Sequence, residues 1–221
     1  MSSVGTALPE SASLSDKAYF AIREMIVSLR LRPGSVINER GLIENLGIGR
    51  TPVREALRRL AQEQLVEVFP RRGMFVTTVE IRDLASLCEV RSVLEAHAAE
   101  LAAKRATDDE KDVLRDLSAE IGDSPQLDQR ALMELDERIH RAIYAAAHNP
   151  FLTETLEDYY VLALRIWYLA LDQARGLESA VQSHQPLLAA IIRSDADAAA
   201  RIMRKHVGDF EKSIRQVLIE A

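Results

Sequence analysis

Three histidines and an aspartate in the C-terminal half have the types and spacing of a metal-ligand set. His184 and His206 lie symmetrically about the turn-like stretch Arg193-Ser194-Asp195-Ala196, and His140 follows Asp136 by four residues. If antiparallel helices flank the turn, residues equally far from it come out at the same height, and residues at i and i+4 share a helix face. Asp136, His140, His184 and His206 would then converge on one divalent ion per chain. Three neutral imidazoles and a carboxylate suit Zn²⁺, Ni²⁺ or Mn²⁺. On a tetrahedral ion the four ligands close the site, and the metal is structural. On an octahedral ion they leave two positions open, enough for a bidentate carboxylate or hydroxycarboxylate. A divalent cation with one Asp keeps a net positive charge that attracts such an anion. Arg91 and Arg165 are the candidates for gripping its other end, because a guanidinium holds a carboxylate bidentately.

The other polar and aromatic residues have plainer readings. A single buried histidine is usually a hydrogen-bonded core residue, which is the expectation for His97. His148 precedes Asn149-Pro150 at a helix C-terminus, where it fits a dipole partner or cap better than a ligand. Tyr159, Tyr160, Trp167 and Tyr168 read as core and pocket wall.

These residues need helices to position them, and the chain favours helices. It has 221 residues, 48% of them apolar and 28% charged, with only 9 Gly and 7 Pro. That composition belongs to a globular, mainly α protein of one or two domains. A single cysteine, Cys88, excludes an internal disulfide and fits a reducing compartment. No apolar run is long enough to span a bilayer, and the N-terminus lacks the basic start and hydrophobic core of a secretory signal. The expected location is the cytoplasm. The net charge of −6 hides an asymmetry: Ser15–Thr78 carries 11 basic and 7 acidic residues, the chain from Val79 onwards 17 basic and 26 acidic. A basic front with an acidic rear is compatible with DNA contact through the front alone.

Residues 1–13 are Ser/Ala-rich without periodicity and are expected to be disordered. Tyr19, Ile22, Met25, Ile26 and Leu29 form the stripe of a first helix, stopped by Pro33-Gly34. A second helix starts at Asn38, an N-cap, and ends at Gly47. Thr51-Pro52 reads as the N-cap and first residue of a third helix, with Val53, Ala56, Leu57 and Leu60 inward and Arg50, Arg54 and Arg58 elsewhere on its surface. Strand-like runs Leu65–Phe69 and Met74–Val79 flank a basic tip, Pro70-Arg71-Arg72-Gly73. Three helices and a basic hairpin make a winged helix-turn-helix over residues 14–79, its third helix suited to the major groove. Residues 80–221 read as an antiparallel bundle with helices over 83–105, 108–121, 127–148, 151–174, 178–193 and 196–218.

The strings Arg50-Thr51-Pro52-Val53-Arg54-Glu55-Ala56-Leu57 and Arg71-Arg72-Gly73-Met74-Phe75-Val76, with Ile37-Asn38-Glu39-Arg40 before them, closely resemble the GntR family of bacterial transcription factors. Glu89-Val90-Arg91-Ser92-Val93-Leu94-Glu95, Asp136 with His140, and His184 with His206 resemble the FadR-like branch with its helical FCD domain. The resemblance implies DNA contact by Arg40, Arg50, Thr51 and Arg54, with the wing tip, Arg72 and Gly73, near the minor groove. It also implies a homodimer on a pseudo-palindromic operator and a small organic acid as effector. Gly49 stands where relatives often have Ser or Thr, and Gly41 replaces a better helix former. Both changes should weaken affinity more than sequence preference, because phosphate contacts position and base contacts specify.

Three functions fit these expectations to different degrees. The leading one is an effector-responsive regulator, as a rule a repressor in this family. A DNA-binding regulator with a purely structural metal is the second. A metal-dependent hydrolase is the third, weakened by the want of a general base beyond the Asp that the metal would occupy.

Overall fold

The computed structural model describes residues 12–78, 81–170 and 177–219. Most of the tail expected to be disordered (residues 1–11), Val79, and the expected helix end and break at 171–176 lie outside them. Among the described residues the chain is helical apart from one two-stranded sheet. Its contacts divide it into two units, one built from the residues up to Glu80 with Leu164–Leu169, the other from Ile81–Ala163 and the chain beyond Leu169.

In the first unit α1 spans Leu14–Val27, capped by Ser13, whose side chain accepts from the Asp16 N–H. Ala18, Ile22 and Ile26 are fully buried against Val53, Ala56, Leu57 and Leu60 of α3, Arg50–Gln62. Truncating a leucine in such a core costs about 2–5 kcal/mol. Leu29 falls past the end of α1, with φ of 57°. Between these helices lies α2, Glu39–Leu46, capped by Asn38 and ended by Gly47 at φ 63°. The left-handed value there suits glycine, which has no Cβ to clash.

The start of α3 differs from expectation. Gly49 is the N-cap, without a side-chain cap bond, and Thr51 and Pro52 lie inside the first turn. Proline is tolerated there because the first turn's N–H groups have no helical partners; the first such bond is Val53 N–H to Gly49 O at 3.3 Å. The hairpin is shorter than expected. β1 (Val66–Phe69) pairs antiparallel with β2 (Gly73–Val76), Val66 opposite Val76 and Phe69 opposite Gly73, and Val36 adds a bridge to Phe75.

The second unit comprises a 3-10 turn at Ile81–Asp83, α4 (Leu84–Arg105), α5 (Asp108–Gly122), a 3-10 turn at Ser124–Gln126, α6 (Gln129–Ala146), α7 (Pro150–Ala170), α8 (Leu177–Gln182), α9 (His184–Ile192) and α10 (Ala196–Ile219); Leu164–Leu169 of α7 belong to the first unit. α4 is the central helix, packed against α10, α6 and α9. Its buried Ala96, Ala98, Ala99, Ala102 and Ala103 share one broad face, opposite the exposed Val93 and His97, and their small side chains let neighbouring helices approach closely. α5 begins with a reciprocal capping box between Thr107 and Glu110.

One expected helix, 178–193, is two. Pro186 has no N–H to give Gln182, and its ring would clash with that carbonyl in a continuous helix. The chain breaks at Ser183, and Pro186 falls in the first turn of α9. His184 thereby becomes that helix's first residue.

Candidate functional site

The DNA-facing candidates form one exposed set on the first unit. Arg50 opens α3, exposed, and makes no side-chain hydrogen bond or ion pair among the described residues. Thr51 is exposed beside it. Arg54, one turn on, donates from Nε to Glu39 Oε2 at 2.7 Å, tying α3 to α2. Arg40 pairs with Glu44 at 2.8 Å with its side chain 88% exposed, so the pair contributes little to stability. At the wing tip Arg71 adopts φ 64° and Gly73 φ 101°, and the exposed Arg72 guanidinium stands 5.7 Å from the Phe69 ring and 5.9 Å from Phe75. Arg59 is structural: it bonds Asp16 at 2.7 Å and stacks 4.1 Å over Tyr19.

The second unit brings Asp136, His140, His184 and His206 together, all buried, with one ligand atom from each within 4.8 Å of the others. Asp136 and His140 come from one face of α6, His184 from the start of α9 and His206 from α10. His140 Nε2 lies 3.3 Å from His184 Nε2, and each of these nitrogens is 3.8 Å from an Asp136 oxygen.

The groups behind the ligands fix which nitrogen faces inward. His184 Nδ1 is 3.1 Å from the Val181 carbonyl, an acceptor only, so Nδ1 carries the proton. His206 Nδ1 is 2.8 Å from Ser183 Oγ, whose own proton goes to the Ala180 carbonyl at 2.6 Å, so His206 again donates. His140 Nδ1 meets Glu95 Oε2 at 3.1 Å and the Tyr144 hydroxyl at 3.2 Å. Tyr160 donates to Asp136 Oδ2 at 2.7 Å, leaving Asp136 Oδ1 buried without a hydrogen-bond partner among the described residues.

This donor set fits a divalent ion. With their protons on Nδ1, the His140 and His184 Nε2 atoms would face each other at 3.3 Å as two acceptors, an arrangement a cation between them relieves, and a buried carboxylate oxygen without a donor calls for the same remedy. The histidines are also ready to bind. Burial pushes the His184 pKa down to about 4. Burial, then the neighbouring His184 and His140, pushes His206 well below its ordinary value. Both are neutral near pH 7, the state a ligand needs.

Arg91, read as an effector contact, stands beside this set but is engaged. Its Nε donates to Glu95 Oε1 at 2.6 Å, and its guanidinium lies 5.7 Å from the Tyr160 ring and 5.4 Å from Phe210. Burial would raise the Glu95 pKa, but Arg91 and then His140 hold it at about 2, so the carboxylate is ionised. In the first unit Arg165 donates to Thr77 Oγ1 at 2.8 Å and Thr77 O at 2.5 Å. Among the described residues its buried Nε has no hydrogen-bond partner, and burial alone lowers its pKa to about 10.

The remaining expectations divide. His97 is not a core residue: its side chain is 53% exposed and lies 3.4 Å from Glu100. His148 pairs with Glu110 at 2.9 Å, while Arg105 caps the last α6 carbonyls by donating to Ala147 O at 2.9 Å. Of the aromatic group, Tyr160 and Trp167 are buried and Tyr159 and Tyr168 half-buried. Glu95, Tyr144 and Ser183 escaped notice in the sequence; the i, i+4 spacing of Arg91 and Glu95 was the available signal.

A winged helix with exposed basic residues, on one chain with a helical unit, defines a DNA-binding transcriptional regulator. Residues 14–76 match the model of the bacterial regulatory proteins of the gntR family, and residues 86–209 match the FCD domain. The chain belongs to the GntR family and carries an FCD domain. It is 34% identical over 200 residues to the Nta operon transcriptional regulator of Aminobacter aminovorans, covering 89% of this chain and 94% of that one. It is 26% identical over 218 residues to the HTH-type transcriptional repressor RspR of Escherichia coli, covering 97% and 94%. The solved structure of E. coli McbR/YncC shares the fold, with a TM-score of 0.83 at 24% identity over 93% of this chain and 98% of that one. These are regulators, not enzymes, and the hydrolase reading falls with them. No described helix is long and apolar enough to cross a membrane.

Proposed function

We propose that this chain is a homodimeric, cytoplasmic repressor whose hold on a pseudo-palindromic operator is set by a small organic acid bound at a divalent ion. Residues 14–79 supply the DNA contacts through Arg40, Arg50, Thr51, Arg54 and the wing tip, Arg72 and Gly73. Residues 80–221 bind the ion and the effector. The observation that carries the reading is the buried Asp136 Oδ1 without a donor, among three histidines whose Nδ1 atoms face acceptors.

Asp136, His140, His184 and His206 would hold one ion per chain, Zn²⁺, Ni²⁺ or Mn²⁺. Such an ion supplies net positive charge and, when octahedral, two positions for a carboxylate. Arg91 is the nearby cation for the acid's far end. The unpartnered Nε of Arg165 is the second donor proposed for an anion. The effector shifts DNA affinity only by its differential affinity for the DNA-competent and incompetent states.

The test is a thermal-shift panel of mono-, di- and hydroxycarboxylates on metal-loaded and metal-stripped protein. A ligand at a hundredfold its Kd adds about 2.7 kcal/mol, a rise of roughly 5–10 °C for a chain of this size. The expected hit disappears on stripping and changes operator affinity in a gel-shift assay. Silence across the panel, with a Tm that still falls on stripping, overturns the sensor reading in favour of a structural ion.

A further inference from the structure

Each proposed histidine ligand has a different acceptor behind it, and only one acceptor is charged. His184 leans on a backbone carbonyl and His206 on a hydroxyl whose proton is committed elsewhere. His140 faces the fully buried carboxylate of Glu95, on α4. We propose that Glu95 is a positioning residue for the metal site: it holds the His140 proton on Nδ1, keeps Nε2 bare toward the other ligands, and links that choice to Arg91.

The need for it follows from Tyr144. The Tyr144 hydroxyl lies 3.2 Å from His140 Nδ1 and can either donate to that nitrogen or accept from it. Donation would move the ring proton to Nε2, where it points at His184 Nε2 only 3.3 Å away and removes the lone pair a metal requires. Glu95 Oε2, 3.1 Å from Nδ1, can only accept. That oxygen has no well-aligned hydrogen bond, and the His140 ring N–H and the Tyr144 hydroxyl are both donors in reach of the carboxylate; a hydroxyl that donates to Glu95 has no proton for His140 and can only accept from it.

The other carboxylate oxygen takes the Arg91 Nε–H at 2.6 Å. One carboxylate is therefore shared between a proposed metal ligand and a buried arginine. Whatever draws Arg91 away leaves more negative charge on the oxygen facing His140, which strengthens that imidazole as a donor. Arg91 and Glu95 thus form a route from an anion contact to the metal's ligand field. Val181 O and Ser183 Oγ, each without an arginine partner among the described residues, offer no such route.

The proposal rests on the metal reading of the four ligands, and the test separates the two. Long-range ¹H–¹⁵N spectra of metal-free protein report the tautomer of each histidine without any ion, with His140 assigned by its loss in His140→Gln. The expected result is an Nδ1–H tautomer in the wild type and in Tyr144→Phe, and an Nε2–H or mixed state in Glu95→Gln, whose amide can donate to Nδ1. Co²⁺ titration should then show affinity lowered about 10–100-fold in Glu95→Gln, with a shifted visible spectrum. A wild-type His140 protonated on Nε2 overturns the proposal, even if Glu95→Gln does not fold. So does a Tyr144→Phe protein whose tautomer changes, or a Glu95→Gln protein with wild-type tautomer and Co²⁺ affinity. Failure of the wild type to bind Co²⁺, with the expected tautomers, sinks the metal reading and leaves the proton assignment standing.

Discussion

The Tyr160 hydroxyl, on α7, donates to Asp136 Oδ2, on α6, at 2.7 Å. That bond uses one oxygen of the carboxylate and leaves the other, Oδ1, facing His184 at 3.8 Å. Burial and then the Asp136 charge push the tyrosine's pKa well above its ordinary value, so it stays a donor across the working pH range.

Tyr160→Phe should therefore free Asp136 to rotate while leaving the ring's packing on His140, 4.7 Å between centroids, in place. Metal affinity is expected to fall about tenfold, as loss of such an orienting bond usually does. Competition with a chromophoric chelator measures it. Unchanged affinity would show that packing alone orients Asp136.

Metal-free protein should lose stability in two separate acid steps. His184, at about 4 folded, binds a proton in the unfolded chain near pH 6.5. The unfolded state thus holds more protons in between, and stability present above about pH 6.5 is lost as pH falls toward 4. His206, shifted the same way, adds to this step. Glu95, at about 2 folded, contributes stability present above its unfolded value near 4.5 and lost as pH falls toward 2. Tm against pH should show the first step shrink in His184→Gln, and bound metal, which keeps the native histidines unprotonated, should raise Tm and extend the step to lower pH. A flat profile from pH 7 to 4.5 would be inconsistent with buried neutral histidines.

Arg50→Ala should abolish operator preference without changing the fold, because the side chain is exposed and makes no side-chain hydrogen bond or ion pair among the described residues. A bidentate base contact is worth about 1–3 kcal/mol, or roughly 5- to 150-fold in specific affinity. Anisotropy titrations of operator against scrambled DNA, beside circular dichroism, would measure both. Footprints identical to wild type would remove Arg50 from the recognition surface.

Glu39→Ala should act in a different way. Glu39 holds Arg54 Nε at 2.7 Å, so its removal frees an arginine on α3 and deletes a negative charge from beside a proposed DNA contact. Non-specific affinity should rise and the ratio of specific to non-specific binding should fall, most clearly at low salt. Equal changes in both would mean that the pair has no orienting role.

The helices were legible where local chemistry sets them. Asn38 and Gly47 mark the ends of α2 because a cap and a left-handed glycine are local devices. The proposed ligand quartet was readable from i, i+4 spacing and hairpin symmetry, both properties of a single helix or helix pair. Errors arose where neighbours decide. Thr51 and Gly49 could both start α3, and no local signal chose between them. Pro186 carries the break at Ser183 in its missing N–H, a local signal outweighed by the continuous apolar run of Leu187, Leu188, Ile191 and Ile192. Exposure of His97 and burial of Glu95 depend on which side of α4 meets other helices; alternating small residues around that helix hid the face. Glu95 could be assigned a role only once α4 and α6 were seen to adjoin.

The four candidate ligands lie on helices far apart in sequence: residues 136 and 140 on α6, 184 on α9 and 206 on α10. An ion held by them is a cross-link as much as a sensor. It closes one chain segment between α6 and α9 and another between α9 and α10, restricting the unfolded ensemble only weakly with length but stitching three helices into one opening unit. Amide exchange in these helices, separable in stripped protein, should then become concerted and slow when metal is bound. An exchange experiment would read the ion as a fastener.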